Sequence, residues 1–245
     1  MSKRQQRRDR PLPQRSAERR LRTKHGFELQ VFEGPELGAG IVAADRATVM
    51  AALDDFDPDA PWEVARHKLI PLLPRVRPLP VPIDGLVQAM VPPGVLTGFG
   101  LDLGPAVTFL DHARLVQWGI RIETVISTAL ANVRRLVATC RPETVVHGSI
   151  DGVPIAAFQS GLGIASTLIL VPECIEALLG RGQHLLLAPI RDLLLALPAA
   201  TDPRLVRWIS AEYEALDPNC LHLGAFHHEG VTISAVSLDE AVARA

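Results

Sequence analysis

Three tight-turn signals, each flanked by two short apolar runs, constrain this chain more than any other feature of its sequence. Pro92-Pro93-Gly94 separates residues 86–91 from 95–101, Asp151-Gly152 separates 145–150 from 153–158, and Glu229-Gly230 separates 221–226 from 231–236. Asp-Gly favours a type I′ turn, whose twist matches that of two antiparallel strands. Strands that arrive in such pairs build antiparallel or mixed sheets, whereas parallel neighbours need a long crossover between them. Residues 106–110 read as a further strand, and the almost unbroken apolar run 184–188 reads as a central one.

Helical segments fall between the strand pairs. Ile122, Val125, Ile126, Ala129, Leu130, Val133, Leu136 and Val137 recur at three- and four-residue steps, with Asn132, Arg134 and Arg135 off that stripe. This spacing predicts a helix with one buried face. A short helix is expected over 46–53. Another is expected from Pro61, capped by Asp59, through Trp62, Ala65, Leu69 and Leu73, with Pro71 ending or kinking it. Asp111 is placed to cap a helix that carries Leu115 and Trp118 and stops at Gly119. Ser166 or Thr167 leads into a helix through Ile175, Leu178 and Leu179, and Pro203 starts one through Leu205, Trp208, Ile209 and Leu216. The expected class is α+β, an antiparallel or mixed sheet with helices mainly on one face.

At 245 residues and 48% hydrophobic composition, the chain suits a single domain over residues 26–245, with a proline-rich strap at 74–82 inside it. The formal net charge of −2 hides an asymmetry. Residues 1–25 hold ten Lys or Arg against Asp9 and Glu18, and the rest hold fifteen basic and twenty-five acidic groups. A basic block of this kind is expected to be a disordered arm. It offers counterion-release contact with nucleic acid. It carries no aromatic residue on which bases would stack, and folding back onto the acidic body is an equal expectation.

Cys140, Cys174 and Cys220 are odd in number and far apart, which argues against a disulfide framework and for a reducing compartment. The longest apolar candidate for a membrane span, 184–200, is broken by Arg191 and Asp192, and no apolar signal-like segment opens the sequence. A cytoplasmic location is expected.

Arg191-Asp192 stands out because charged side chains rarely sit inside a run as apolar as 185–197. A guanidinium there can clamp a carboxylate or phosphate in a fork of hydrogen bonds, and the bland reading is a turn whose charges find partners within the fold. Ser160-Gly161-Leu162-Gly163 lacks both the Gly-Lys-Ser/Thr of a phosphate loop and the third glycine of a dinucleotide fingerprint. Cys220, His222, His227 and His228 form the one metal-like cluster, but His227 and His228 are adjacent and cannot both converge easily on one ion, so no metal is expected. Asp54, Asp55, Asp57 and Asp59 lack the glycine and closing glutamate of a calcium loop. Nothing in the sequence points to a cofactor.

Several segments also occur in a familiar order. Residues 95–102 (Val-Leu-Thr-Gly-Phe-Gly-Leu-Asp) are followed by 115–120 (Leu-Val-Gln-Trp-Gly-Ile), Ala131-Asn132-Val133, Asp151-Gly152, Ala165-Ser166 and then 188–194 (Ala-Pro-Ile-Arg-Asp-Leu-Leu). Over roughly 93–240 this resembles the bacterial YtpQ-like family of uncharacterised proteins. Ile164 and Ile190 depart from the resemblance, standing where more polar residues are usual. The resemblance implies no activity, cofactor or substrate, but Arg191 and Asp192 fall within its most recognisable segment.

The functional expectation is a binding or regulatory module that recognises a partner protein or a small anionic ligand through Arg191, Asp192, Asn132 and Ser166. The alternatives are a hydrolase in which Arg191, His147 or Asp151 converge, and nucleic-acid contact through residues 1–25.

Overall fold

The computed structural model describes residues 18–22, 28–32, 46–73, 85–141, 144–216 and 220–238. The strap 74–82 lies outside them, as do residues 1–17 and 23–25 of the basic arm. The described part of the arm, β1 (Glu18–Arg22), pairs antiparallel with β2 (Glu28–Phe32).

Among the described residues every strand pairing is antiparallel, and helices and sheets are both extensive: the chain is α+β. Six strands form the larger sheet in the order β12-β11-β9-β10-β8-β7. Its members are β7 (Val145–Ile150), β8 (Val153–Phe158), β9 (Gln183–Ile190), β10 (Leu193–Pro198), β11 (Ala225–Glu229) and β12 (Thr232–Val236). The smaller sheet has β5 (Val95–Asp102) between β3 (Leu69–Leu72) and β4 (Gln88–Val91), with β6 (Val107–Phe109) also paired to β5.

Turn chemistry matches the expectation at the central hairpin. Asp151 (φ 53°) and Gly152 (φ 80°) both take positive φ, the requirement of a type I′ turn. The last hairpin turns one step later than expected, at Gly230-Val231, and its first strand begins at Ala225. Residues 221–224 are not strand.

The remaining elements are α1 (Arg46–Asp55), α2 (Trp62–Ala65), α3 (His112–Trp118), α4 (Ile122–Val137), α5 (Pro172–Leu179) and α6 (Pro203–Leu216). The Asp111 side chain accepts the Arg114 N–H at 2.8 Å, and Gly119 closes α3 in the left-handed region at φ 65°. The stripe of α4 buries Val125, Ala129, Val133 and Val137 against β3 and β5. Burying a valine side chain is worth about 1.5–3 kcal/mol, so this face alone is a large share of a domain's net stability.

Two helical expectations are corrected. The segment from Pro61 makes only one α-turn and a short 3-10 turn (Arg66–Lys68) before residues 69–72 pair with β5 as strand β3. Leu69, Ile70 and Pro71 are all buried, so burial on both faces wins over the helical spacing, and Pro71 is tolerated because β3 is an edge strand. The helix expected from Ser166 or Thr167 begins instead at Pro172, which occupies its first turn. Residues 165–170 form a fully buried 3-10 helix against β9 and β10.

One buried cluster runs from the α4 face through residues 164–171 to the inward side chains of the larger sheet, Phe158, Leu186, Ala188, Leu194, Ala196 and Phe226. A second lies on the opposite face of that sheet, where Val206 and Ile209 of α6 cover Leu185, Leu187, Leu195 and Leu197. The helices are thus gathered mainly on the inner face, and α6 is the exception.

Candidate functional site

The β9–β10 connection is the two-residue turn Arg191-Asp192, set against the glycine loop 160–165. Asp192 Oδ1 accepts the backbone N–H of Ser160 (3.2 Å) and of Ala165 (3.3 Å), and Oδ2 accepts that of Gly161 (2.8 Å). The Ser160 hydroxyl also donates to Oδ1 and in turn accepts the N–H groups of Leu162 (3.0 Å) and Ile164 (3.2 Å). Converging backbone N–H groups on a loop with positive-φ glycines make an anion-binding nest. Gly161 (φ 68°) and Gly163 (φ 71°) supply that conformation, and the anion held is the chain's own carboxylate.

Arg191 lies flat over Gly163. Its Nε donates to the Gly163 carbonyl at 3.0 Å, and a Cβ at Gly163 would meet Nε, Cζ and Nη2 of Arg191 at 3.2–3.3 Å. Only glycine suits both this close approach and the left-handed backbone. Burial lowers the guanidinium pKa from its ordinary value, and the charges of Asp102 and Asp192 oppose that shift. Among the described residues its terminal nitrogens donate no hydrogen bond.

Ser166 is brought to the same place: its N–H donates to the Arg191 carbonyl at 3.1 Å, and its buried hydroxyl has no partner among the described residues. Asn132 serves the smaller sheet instead. Its amide donates to the carbonyls of Arg66 (2.7 Å) and Leu69 (2.8 Å), and its oxygen accepts from Arg135 at 3.4 Å. Three of the four expected site residues therefore meet at one turn, and the fourth ties α4 to the start of β3.

The groups expected of a hydrolase are spread over the sheet. Phe158 pairs beside Leu194, so the end of β8 lies near Arg191, while Asp151 caps the other end of β8. Five strand steps of about 3.3 Å separate Phe158 from Val153, so Asp151, in the turn beyond Val153, lies at least ~17 Å away along the strand. His147 is exposed in the middle of the outermost strand. Burial pushes the Cys140 thiol pKa up, and the charge of Asp192 adds to it. Burial likewise raises Cys174. Neither thiol is activated as a nucleophile.

A concavity does exist elsewhere. Residues 187–189 of β9, Arg207, Ser210 and Ala211 of α6, Cys220 and residues 222–224, and residues 236–238 enclose a half-open groove of about 370 Å³. His222 holds an unusual left-handed backbone (φ 53°), which turns the chain along the groove wall beside buried Cys220. Cys220 and His222, two members of the metal-like cluster seen in the sequence, both line this groove. His228 lies elsewhere, stacked on His184 with ring centroids 5.7 Å apart. Among the described residues no three His, Cys, Asp or Glu side chains gather as metal ligands, and no helix is long and apolar enough to cross a membrane.

Sequence reasoning missed the groove because four separated segments build it. The one local signal was the cluster of Cys220 and His222 after α6. No family model, curated protein or solved structure matches the chain.

Proposed function

We propose that this chain is a non-catalytic binding module for a small anionic ligand, which it holds in the groove beside α6. The observation that carries this reading is the convergence of a cation and polar groups on one concavity: Arg207 and Ser210 come from α6, His222 from the 220–224 segment and Ser237 from the end of β12. Its volume of about 370 Å³ falls within the range of small-molecule pockets, roughly 300–1,000 Å³. Leu187, Ala188, Pro189, Leu223 and Val236 supply the apolar walls such sites use. A guanidinium at the rim of an apolar cleft binds carboxylate or phosphate in a planar fork.

Thermal denaturation in the presence of inorganic phosphate, malate or adenosine monophosphate tests the reading. At least one of these anions at millimolar concentration is expected to raise Tm, and Arg207→Gln should weaken that binding at least tenfold. If no anion shifts Tm, or Arg207→Gln binds as tightly as the wild type, the groove is not the site.

A second reading keeps Arg191 as the anion anchor, favoured by its terminal nitrogens, which make no hydrogen bond among the described residues. It predicts that Arg191→Leu, and not Arg207→Gln, abolishes the same Tm shift. The resemblance to the YtpQ-like family enters this proposal only through residues 189–194.

A further inference from the structure

The larger sheet ends at β7, and among the described residues no strand pairs with its outer edge. Exposed edges in natural proteins are usually blunted by charge, proline, bulges or shortness. β7 has none of these. Its six residues, Val-Val-His-Gly-Ser-Ile, include no Asp, Glu, Lys, Arg or Pro, and all six pair with β8 in unbroken register.

That register fixes which backbone groups face outward. Ile150 and Val153 flank a two-residue turn and form a hydrogen-bonded pair, so Gly148↔Ile155 and Val146↔Ala157 do as well. The intervening residues Val145, His147 and Ser149 point their N–H and C=O groups away from β8. The identity of Pro154 agrees: it has no N–H and sits opposite Ser149, where none is needed across to β7.

We propose that this edge pairs antiparallel with the β7 of a second copy of the chain, about a two-fold axis through His147. Among two-fold arrangements, that centre alone uses all three outward-facing residues of each copy, pairing His147 with His147 and Val145 with Ser149. It also sets Val146 opposite Gly148 in a non-hydrogen-bonded pair, where side chains approach most closely. Val146 is 65% exposed in the single chain, and the absent side chain of Gly148 leaves space for it. The occupant follows from charge as well as shape. A strand without charged residues can lie against its own copy with no like charges opposed. An acidic or basic peptide would find nothing on it to pair with. The opposite edge, β12, has the same kind of hairpin but turns only Ile233 and Ala235 outward. Closed isologous pairing of this type is the commonest form of homo-oligomer.

Sedimentation equilibrium of the full chain tests the proposal. The wild type is expected at twice its 26.5 kDa monomer mass at micromolar concentration. His147→Glu and His147→Lys, at an exposed position, should each raise the dimer dissociation constant at least tenfold by opposing like charges. An equal mixture of the two variants should restore the dimer, a result that mere damage to the fold cannot produce. Ser149→Pro, which removes an outward N–H only, is the second probe and should also dissociate the dimer. A wild type that stays monomeric at 100 µM overturns the proposal. So do single variants that dimerise like the wild type, or a dimer lost only on Ile233→Lys in β12.

Discussion

The two ends of β9 handle polar groups in opposite ways. Just past its C-terminal end, Asp192 receives three backbone N–H groups and a serine hydroxyl. Near its N-terminal end, about 20 Å away by strand rise, His184 stacks on His228 of β11, its partner in register. His228 is fully buried, and neither of its ring nitrogens makes a hydrogen bond among the described residues. The same holds for Nε2 of His184. One end is a polar group fully matched by a loop, and the other is a stacked histidine pair whose charged form burial disfavours. A matched charge ties distant segments together, whereas an unmatched pair makes its surroundings sensitive to protonation.

The largest expected effect breaks the matched end. Asp192→Ala orphans the N–H groups of Ser160, Gly161 and Ala165 together and should cost about 3 kcal/mol of stability. Urea unfolding monitored by circular dichroism checks it. A loss under about 1 kcal/mol would show the carboxylate to be replaceable by water.

The next effect belongs to the unmatched end. Burial, and then the neighbouring His184, hold the His228 pKa below its ordinary 6.5, while the backbone of Gly230 and Pro172 and the charge of Glu176 oppose them. The unfolded chain therefore takes up a proton below pH 6.5 that the folded chain resists. Stability from this group is complete above pH 6.5 and falls as the pH drops below it, by up to about 1.4 kcal/mol per pH unit. His228→Phe should remove that part of the pH dependence, measured as Tm against pH from 7.5 to 5. An unchanged slope would place the proton uptake elsewhere. The smallest effect sharpens the matched end: Ser160→Ala keeps the carboxylate but loses the acceptor for Leu162 and Ile164. It should cost about 1 kcal/mol in the same urea assay.

What the sequence made legible was whatever is local. The α4 stripe, the Asp111 cap and the Asp151-Gly152 turn depend on residues within a few positions of one another. The segment 69–72 was read as helix because its role is set by β5, about thirty residues further along the chain. The site was legible in part. Arg191 and Asp192 looked anomalous amid leucines; Asp192 is indeed matched and Arg191 is matched through Nε, but the matching loop lies about thirty residues earlier. Asn132 was linked to them by resemblance alone, whereas its carbonyl partners at positions 66 and 69 are invisible to any local pattern.

The glycine loop 160–165 has one more consequence. Three of its amides are already taken by a carboxylate that the chain itself tethers, and two more by the Ser160 hydroxyl, so an incoming phosphate meets a built-in competitor. Tethering gives such a competitor an effective concentration on the order of millimolar or more. A free phosphate at cellular levels would have to outbid it and also unpick the β9–β10 turn. A loop of this shape is thereby reserved for internal use, and a glycine-rich contour alone is no guide to what a protein binds.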